Sequence, residues 1–198
     1  MFSRVRLVTV ALELLCLSGT TWAGRAGTIE LAPLGGLTLS HDDRLSSASN
    51  CGWLTGMRLT VPAGERIALG FSGVYHSLCA QDLSPVNGQA GGRRELHNVE
   101  GMFELHVRFN QEAVTPYCLL RLGYVRHHDQ LHTPYVVDEF SETTPAVGAG
   151  LGALVRAGER LSAIVEAVYT SADAEAERFA IERWWALRAG FVVAVGHD

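Results

Sequence analysis

Lysine is absent from the 198-residue sequence, so arginine supplies all 16 basic side chains, against 21 acidic ones. The formal net charge is −5, and no long block of basic residues occurs. Because binding to nucleic acid relies on a basic surface, this charge balance predicts no nucleic-acid partner. The sequence also lacks a heptad repeat and a Gly-X-Y repeat, which excludes coiled-coil and collagen-like proteins.

Long hydrophobic runs are confined to the N-terminus. Residues 1–23 combine Arg4 and Arg6, an apolar run over residues 7–17 and the small residue Ala23, which is the order of a secretory signal peptide. After Ala23, no stretch reaches the roughly 20 continuous apolar residues of a transmembrane helix. We therefore expect residues 1–23 to be removed during export and residues 24–198 to form one domain without membrane-spanning helices.

Alternation of apolar and polar residues is the dominant pattern after the signal peptide. In residues 96–109, for example, Phe103, Leu105 and Val107 alternate with Glu104 and His106. This period of two is typical of a β-strand with two chemically different faces. Each segment is long enough to cross a bilayer, which takes about 9–11 residues of a tilted strand. Eight segments show the pattern: 27–40, 53–61, 66–77, 96–109, 116–127, 146–155, 161–170 and 183–195.

The connections between these segments alternate in length. Three are short, near residues 62–64, 110–114 and 156–158. Four are long and polar, near residues 41–52, 78–95, 128–143 and 171–182. Short turns on the periplasmic side and long loops on the extracellular side are typical of outer-membrane barrels. The sequence therefore predicts an all-β protein, an eight-stranded antiparallel up-and-down transmembrane β-barrel in the bacterial outer membrane.

Charge distinguishes the two faces of the predicted strands. The apolar face carries no Asp, Glu or Arg between its terminal residues, and its ends carry Tyr75, Tyr117, Tyr124, Tyr169 and Trp185, where an aromatic girdle would contact the membrane interfaces. A soluble periplasmic barrel of the lipocalin type, with an apolar ligand inside, would invert the two faces. We favour a lumen that holds the polar face as a network of ion pairs: Glu30, Arg58, Arg66, Glu100, Glu104, Arg108, Arg121, Glu166 and Arg188.

Three segments carry a resemblance to a known family. They are the segment from Thr115-Pro116-Tyr117 to Gly123-Tyr124, the glycine-rich segment 148–152, and Glu166-Ala167-Val168-Tyr169. In this order, over about residues 27–196, the chain resembles the small outer-membrane β-barrel family that includes the OmpA transmembrane domain and OmpX. The resemblance implies insertion by the barrel-assembly machinery, contact with outer-membrane lipid and lipopolysaccharide, and no particular activity.

The last predicted strand is similar to the C-terminal assembly signal of this family. The positions that match the signal are Arg188, Gly190, Val193 and Val195. The terminal aromatic residue of many members is missing, because Gly196-His197-Asp198 follows. One closed barrel needs no partner to remove its strand edges, so we expect a monomer.

The predicted lumen is open to three functional interpretations. An eight-stranded barrel is just wide enough for side chains to fill, so we expect a blocked lumen and a structural or surface-interaction role through the long loops. A narrow pore for ions or small solutes is the first alternative. A lipid A-modifying enzyme is the second, with His76 and Ser77 as its candidates, but adjacent strand residues point to opposite faces. We expect no enzyme activity and no cofactor.

Two other groups of residues are candidates for chemistry at the extracellular end. Cys51 and Cys79 lie at the outer ends of neighbouring strands and could form a disulfide in an oxidising compartment, whereas Cys118 belongs to the lipid-facing set. The third long loop is rich in metal-ligand types, although no spacing fixes them and we expect no metal site. These residues are His127, His128, Asp129, His132, Asp138 and Glu139.

Overall fold

The computed structural model describes residues 28–40, 51–83, 92–110, 112–135, 137–172 and 183–196. The predicted signal peptide lies outside these residues. The strands are β1 (Ile29–Ser40), β2 (Cys51–Pro62), β3 (Ile67–Leu83), β4 (Gly92–Arg108), β5 (Val114–His132), β6 (Val137–Arg156), β7 (Leu161–Ala172) and β8 (Arg183–Val195). No helix among the described residues is long and apolar enough to cross a membrane.

All eight strands are antiparallel and pair in chain order, and β8 closes on β1 to complete a barrel. This confirms the predicted fold. The alternating pattern explains it, because each strand can present its apolar side chains to one face and its polar side chains to the other. The closure leaves no unpaired edge across the membrane-spanning part.

Side-chain exposure shows which face points outward. The apolar set is exposed, as at Phe103 (64%) and Leu122 (62%), whereas the charged set of the same strands is buried, as at Glu104 and Arg121 (both 3%). An outer surface of apolar side chains is the surface that a barrel turns toward lipid. This apolar outer surface extends from the short turns at one end of the barrel to the aromatic residues near the other end.

Two of the predicted long loops are shorter than expected, because the strands that flank them continue. β3 and β4 extend to Leu83 and from Gly92, and β5 and β6 extend to His132 and from Val137. Only residues 133–136 connect β5 to β6. Outside the membrane both faces of a sheet contact water, so the apolar alternation ends while the hydrogen-bonded ladder continues. The pattern therefore located the membrane-spanning part of each strand and not its end.

The barrel interior is filled with apolar as well as charged side chains. One apolar cluster lies toward the long-connection end and includes Leu78, Leu96, Met102 and Trp184. A second cluster includes Leu34, Leu54, Val74, Tyr117, Leu119, Ile164, Val168 and Val192. Ile164 and Val168 interrupt the apolar alternation of β7 because they face the lumen.

Candidate functional site

The lumen holds ion pairs that join strands on opposite sides of the barrel. Nearest the short turns, the Arg108 Nη2 atom donates to both carboxylate oxygens of Glu30, at 2.9 and 2.7 Å. This pair joins β4 to β1 and is partly exposed at the barrel mouth (side-chain exposure of 19% and 16%). Because water screens this pair, removal of one partner should cost less than removal of a partner from the ion pairs deeper in the lumen.

Glu166 of β7 is the acceptor for two donors from different strands. Arg58 of β2 and the hydroxyl of Tyr117 of β5 both donate to its Oε1 atom. Arg58 Nη1 also lies 3.7 Å from Oε2 of Glu104. Gly152 makes this arrangement possible, because a Cβ atom there would lie 2.6 Å from Cζ of Tyr117 and 2.9 Å from Cγ of Glu166.

Arg121 joins the two buried acidic residues of β4, Glu100 and Glu104. Its Nε donates to Oε1 of Glu104 at 3.0 Å, and its Nη2 donates to Oε1 of Glu100 at 2.7 Å. Arg188 of β8 donates to the same oxygen of Glu100 and lies 3.8 Å from Glu104. The hydroxyl of Ser72 donates to Glu104 at 2.7 Å. Two carboxylates and two guanidinium groups therefore form one buried cluster that spans β4, β5 and β8.

Two histidines, His106 and His76, contact this network, and a third, His127, lies farther toward the long-connection end. The Nε2 atom of His106 lies 3.0 Å from Oε2 of Glu104. Farther toward the long-connection end, Nδ1 of His76 lies 2.7 Å from the hydroxyl of Thr38, and its Nε2 lies 3.5 Å from Glu100. His127 bridges Asn98 and Thr144, each at 3.1 Å. The ring of Trp184 lies edge-on to both His76 and His127, at 5.9 and 6.4 Å.

The charges of the central cluster are balanced in sign. Each carboxylate accepts from a guanidinium group, which offsets the large cost of removing both ions from water. Six side chains form this central cluster, each at most 3% exposed, and we call them the lumen charge cluster: Arg58, Glu100, Glu104, Arg121, Glu166 and Arg188. The cluster joins side chains of five strands: β2, β4, β5, β7 and β8.

The structure places eight of the nine predicted lumen charges inside the barrel: the lumen charge cluster together with the Glu30–Arg108 pair. Arg66 is the exception, because it lies exposed in the turn before Ile67. Its prediction as a lumen residue was wrong, since the strand begins one residue later than the alternation indicated.

Tyr117 was predicted for the outer aromatic girdle and instead lies in the lumen, 1% exposed. The alternation within β5 would have placed Tyr117 in the lumen, because residues an even number of positions apart in a strand share a face and Tyr117 lies four residues before Arg121. Trp184 likewise lies four residues before Arg188 in β8, so the alternation predicts that this buried tryptophan faces the lumen. Tyr75 and Trp53 (ring centroids 5.6 Å apart) and Tyr169 and Trp185 (5.2 Å) pack in pairs among the outward-facing residues.

The residues of the predicted assembly signal all lie on β8, which forms the seam with β1. Arg188 points into the lumen, whereas Val193 and Val195 are exposed on the outer face. Gly190 permits the close approach of the two strands, because a Cβ atom there would lie 2.1 Å from the carbonyl oxygen of Pro33. Whether these residues act in assembly stays a prediction.

The other candidates from the sequence are separated by the fold. His76 is buried in the lumen, and the adjacent Ser77 alternates onto the opposite face. Cys51 is exposed, and the side chain of Cys79 lies outside the described residues, so their disulfide stays a prediction. Cys118 is half-buried on the outward-facing side of β5.

The metal-ligand types of the third predicted loop do not converge. His127 points into the lumen, whereas His132, Asp138 and Glu139 are exposed on the extended β5–β6 hairpin. The described residues contain no group of three or more His, Cys, Asp or Glu side chains placed to hold a metal ion.

Comparisons with known proteins agree with this architecture. No protein-family model matches the sequence, and no curated protein matches it. Among solved structures, the attachment invasion locus protein Ail of Yersinia pestis is similar over 85% of this chain and 99% of its own (14% identity, TM-score 0.55). Neisserial surface protein A is similar over 86% and 98% (13% identity, TM-score 0.59).

A major outer membrane protein of Thermus thermophilus is similar over 86% of this chain and all of its own chain (11% identity, TM-score 0.61). At these identities the likeness shows the fold. The apolar outer surface described above is the surface that such a fold presents to lipid. The chain therefore has the fold of the small eight-stranded β-barrels of the bacterial outer membrane, with its apolar set outward and its charged set in the lumen.

Proposed function

We propose that this protein is a non-conducting outer-membrane barrel that acts through the part of its sheet beyond the membrane. The lumen charge cluster is the observation that supports a non-conducting barrel. It crosses the barrel between strands on opposite sides and is almost inaccessible to water. An eight-stranded barrel has only enough interior space for its own side chains. The cluster therefore blocks the path that an ion would take.

Conductance in planar lipid bilayers tests this half of the proposal. We expect purified, folded protein to insert without producing stepwise current. Removal of two large cluster side chains in Arg121→Ala/Glu104→Ala is expected to open the lumen and to produce current steps, which shows that the assay reports inserted protein. Regular current steps from the unaltered protein would instead favour a narrow pore.

The extended sheet supports the proposed interaction role beyond the membrane. β3 pairs with β2 only as far as Ser77, and β6 pairs with β7 only as far as Ala146, but β4, β5 and β6 remain paired with each other beyond these points. The β5–β6 hairpin ends at Tyr135, which is 86% exposed. A rigid sheet with two water-facing sides and an exposed aromatic tip is a suitable surface for a partner.

Shortening this hairpin tests the interaction role. Deletion of residues 128–141 and closure with Asn-Gly would remove equal lengths of both strands and preserve the register of the rest. We expect bacteria that display the shortened protein to adhere to epithelial cells several-fold less than bacteria that display the full chain. Equal adhesion, with equal amounts of folded barrel at the surface, would contradict the proposal. Ail, which shares the fold, is described by its name as an attachment invasion protein.

We also propose that the protein has no enzyme activity and is inserted as a monomer by the barrel-assembly machinery. His76 is engaged by Thr38 and faces away from Ser77, which supports the absence of a Ser-His pair. Lipid A from expressing cells should therefore have an unchanged mass. A lipid A mass shift that disappears in His76→Ala would overturn the non-enzymatic assignment.

Insertion and oligomeric state are tested separately. Depletion of the assembly machinery should leave the chain in its unfolded form on a gel, and a mass measurement in detergent should give one chain per particle.

A further inference from the structure

Arg126 is the first charged residue on the outward face of β5. From the middle of the membrane outward, that face carries Leu120, Leu122 and Tyr124 and then Arg126. All four side chains are exposed, and Tyr124 is 64% exposed. The arginine therefore lies directly beyond the apolar band, at the depth where lipid headgroups meet the barrel.

Arg126 lies at the edge of the apolar band. In the register of the sheet, it is paired with the apolar Val99 of β4 on one side and with Thr143 of β6 on the other, and the next row outward consists of the hydrogen-bonding side chains His97, His128 and Ser141. The Arg126 Nη2 atom lies 3.4 Å from the hydroxyl of Ser141, so its guanidinium group extends toward that outer row and away from the apolar band.

His97 and His128 have defined positions on either side of this row. Nδ1 of His97 lies 2.8 Å from the hydroxyl of Tyr75, and the two rings stack at 5.6 Å. Nε2 of His128 lies 2.9 Å from Nε2 of Gln130. We refer to Arg126, His97, His128, Ser141 and Thr143 as the Arg126 patch. It contains no carboxylate.

Acidic residues occur on the outward face of β4–β6 only farther from the membrane, and each has a partner. Glu95 pairs with Arg93 at 2.9 Å and also lies 3.7 Å from Nε2 of His97 in the patch, and Glu139 accepts from Gln130 at 3.1 Å. Among the described residues, Arg126 contacts the Ser141 hydroxyl and has no acidic partner. An outward guanidinium group at headgroup depth, without an acidic partner among the described residues, suits an anion supplied by the membrane.

We propose that the Arg126 patch binds a phosphate group of lipid A in the outer leaflet, with the lipid acyl chains against Leu122 and Tyr124. The planar guanidinium suits two parallel hydrogen bonds to phosphate oxygens, and the hydroxyl groups of Ser141 and Thr143 supply further donors. The long connections mark this end of the barrel as extracellular, where lipid A forms the leaflet. The inference rests on the outer-membrane orientation in the proposed function and adds a specific lipid site to it.

Binding of lipid A to the purified protein in detergent tests the site. The protein is titrated with lipid A, and bound lipid is measured as the rise in the temperature at which the folded band is lost on a gel. Arg126→Gln is expected to weaken binding about tenfold or more, and Arg126→Lys to weaken it less, since lysine keeps the charge and loses the paired geometry. Arg156→Gln is the matched control, because Arg156 is exposed at the opposite end of the barrel. It should bind lipid A like the unaltered protein.

Two further lipids identify the group that is recognised. Lipid A from which both phosphates have been removed should bind as weakly to the unaltered protein as lipid A binds to Arg126→Gln. Phosphatidylglycerol should bind more weakly than lipid A. Equal binding of dephosphorylated lipid A, or unchanged affinity in Arg126→Gln, would overturn the phosphate site. Equal binding of phosphatidylglycerol would overturn its assignment to lipid A. The conductance test does not involve the patch. The shortened hairpin lacks His128 and Ser141, so adhesion is also measured with Arg126→Gln, which keeps the hairpin: full adhesion with lost lipid binding, or the reverse, distinguishes failure of the lipid site from failure of the proposed function.

Discussion

A Cβ atom at Gly152 would lie 2.6 Å from Cζ and 2.7 Å from the hydroxyl oxygen of Tyr117. The aromatic ring is rigid, and its hydroxyl is held by Glu166, so the ring cannot move aside without loss of that hydrogen bond. We expect Gly152→Ala to lower the free energy of unfolding by about 1–3 kcal/mol through overpacking. Urea unfolding in lipid vesicles, followed by gel mobility, measures this change.

Two variants make the Gly152 prediction specific. Gly73 also lies within a strand but has no atom within 4 Å of its added Cβ, so Gly73→Ala should change the unfolding free energy by no more than about 0.5 kcal/mol. In a Tyr117→Leu background, Gly152→Ala should be less costly, because the ring is gone. An equal cost with and without the ring would contradict the proposed contact.

Glu166 is the acceptor whose loss should be most damaging in the lumen. Glu166→Gln removes the negative charge opposite Arg58 and leaves a buried guanidinium without its main partner. We expect a loss of about 3–5 kcal/mol of unfolding free energy, measured by the same urea assay. Arg58→Met/Glu166→Gln should recover part of this loss, because neither ion then remains buried.

Two charged residues outside the central cluster provide the comparison. Glu30→Gln alters a partly exposed pair and should cost about 1 kcal/mol or less. Arg66→Gln alters an exposed turn residue and should cost no more than about 0.5 kcal/mol. A Glu166→Gln cost as small as that of Glu30→Gln would show that water reaches the cluster.

The extended β5–β6 hairpin predicts slow hydrogen exchange in a region whose sequence is typical of a loop. Residues 125–130 and 139–144 lie in a continuous antiparallel ladder, with Val125 opposite Thr144 and Gln130 opposite Glu139. Their hydrogen-bonded amides should be protected, whereas the amide of Tyr135 in the turn should exchange rapidly. Mass spectrometry of peptides after exchange measures both. Rapid exchange of the amides throughout residues 128–143 would contradict the extended hairpin and favour the long loop predicted from the sequence.

The alternation of apolar and polar residues determines how much of the fold could be predicted from the sequence. Where lipid is on one side and a polar lumen on the other, each residue is constrained to one face, so the strand count and the faces of Glu104 and Arg121 could be predicted. The constraint ends at the membrane boundary. For that reason the strand ends near Arg66 and beyond Arg126 were placed incorrectly.

The pairing of charges in the lumen required the structure. Parity places Arg58, Glu166, Glu100 and Arg188 inside, but it does not say which of them meet. Arg58 of β2 reaches Glu166 of β7, and Arg188 of β8 reaches Glu100 of β4. These contacts depend on the stagger between strands that are not hydrogen-bonded to each other, which the local pattern does not encode.

Two adjacent tryptophans provide the most direct test of the face assignment. Trp184 is 1% exposed and lies in the lumen, whereas Trp185 is 49% exposed on the outer surface. Two variants would each retain one of them, with the other tryptophans of the chain replaced by phenylalanine. In vesicles of brominated phospholipid, we predict strong quenching of Trp185 fluorescence and little quenching of Trp184. Strong quenching of Trp184 with little quenching of Trp185 would show that the charged face meets the lipid, and would contradict the account.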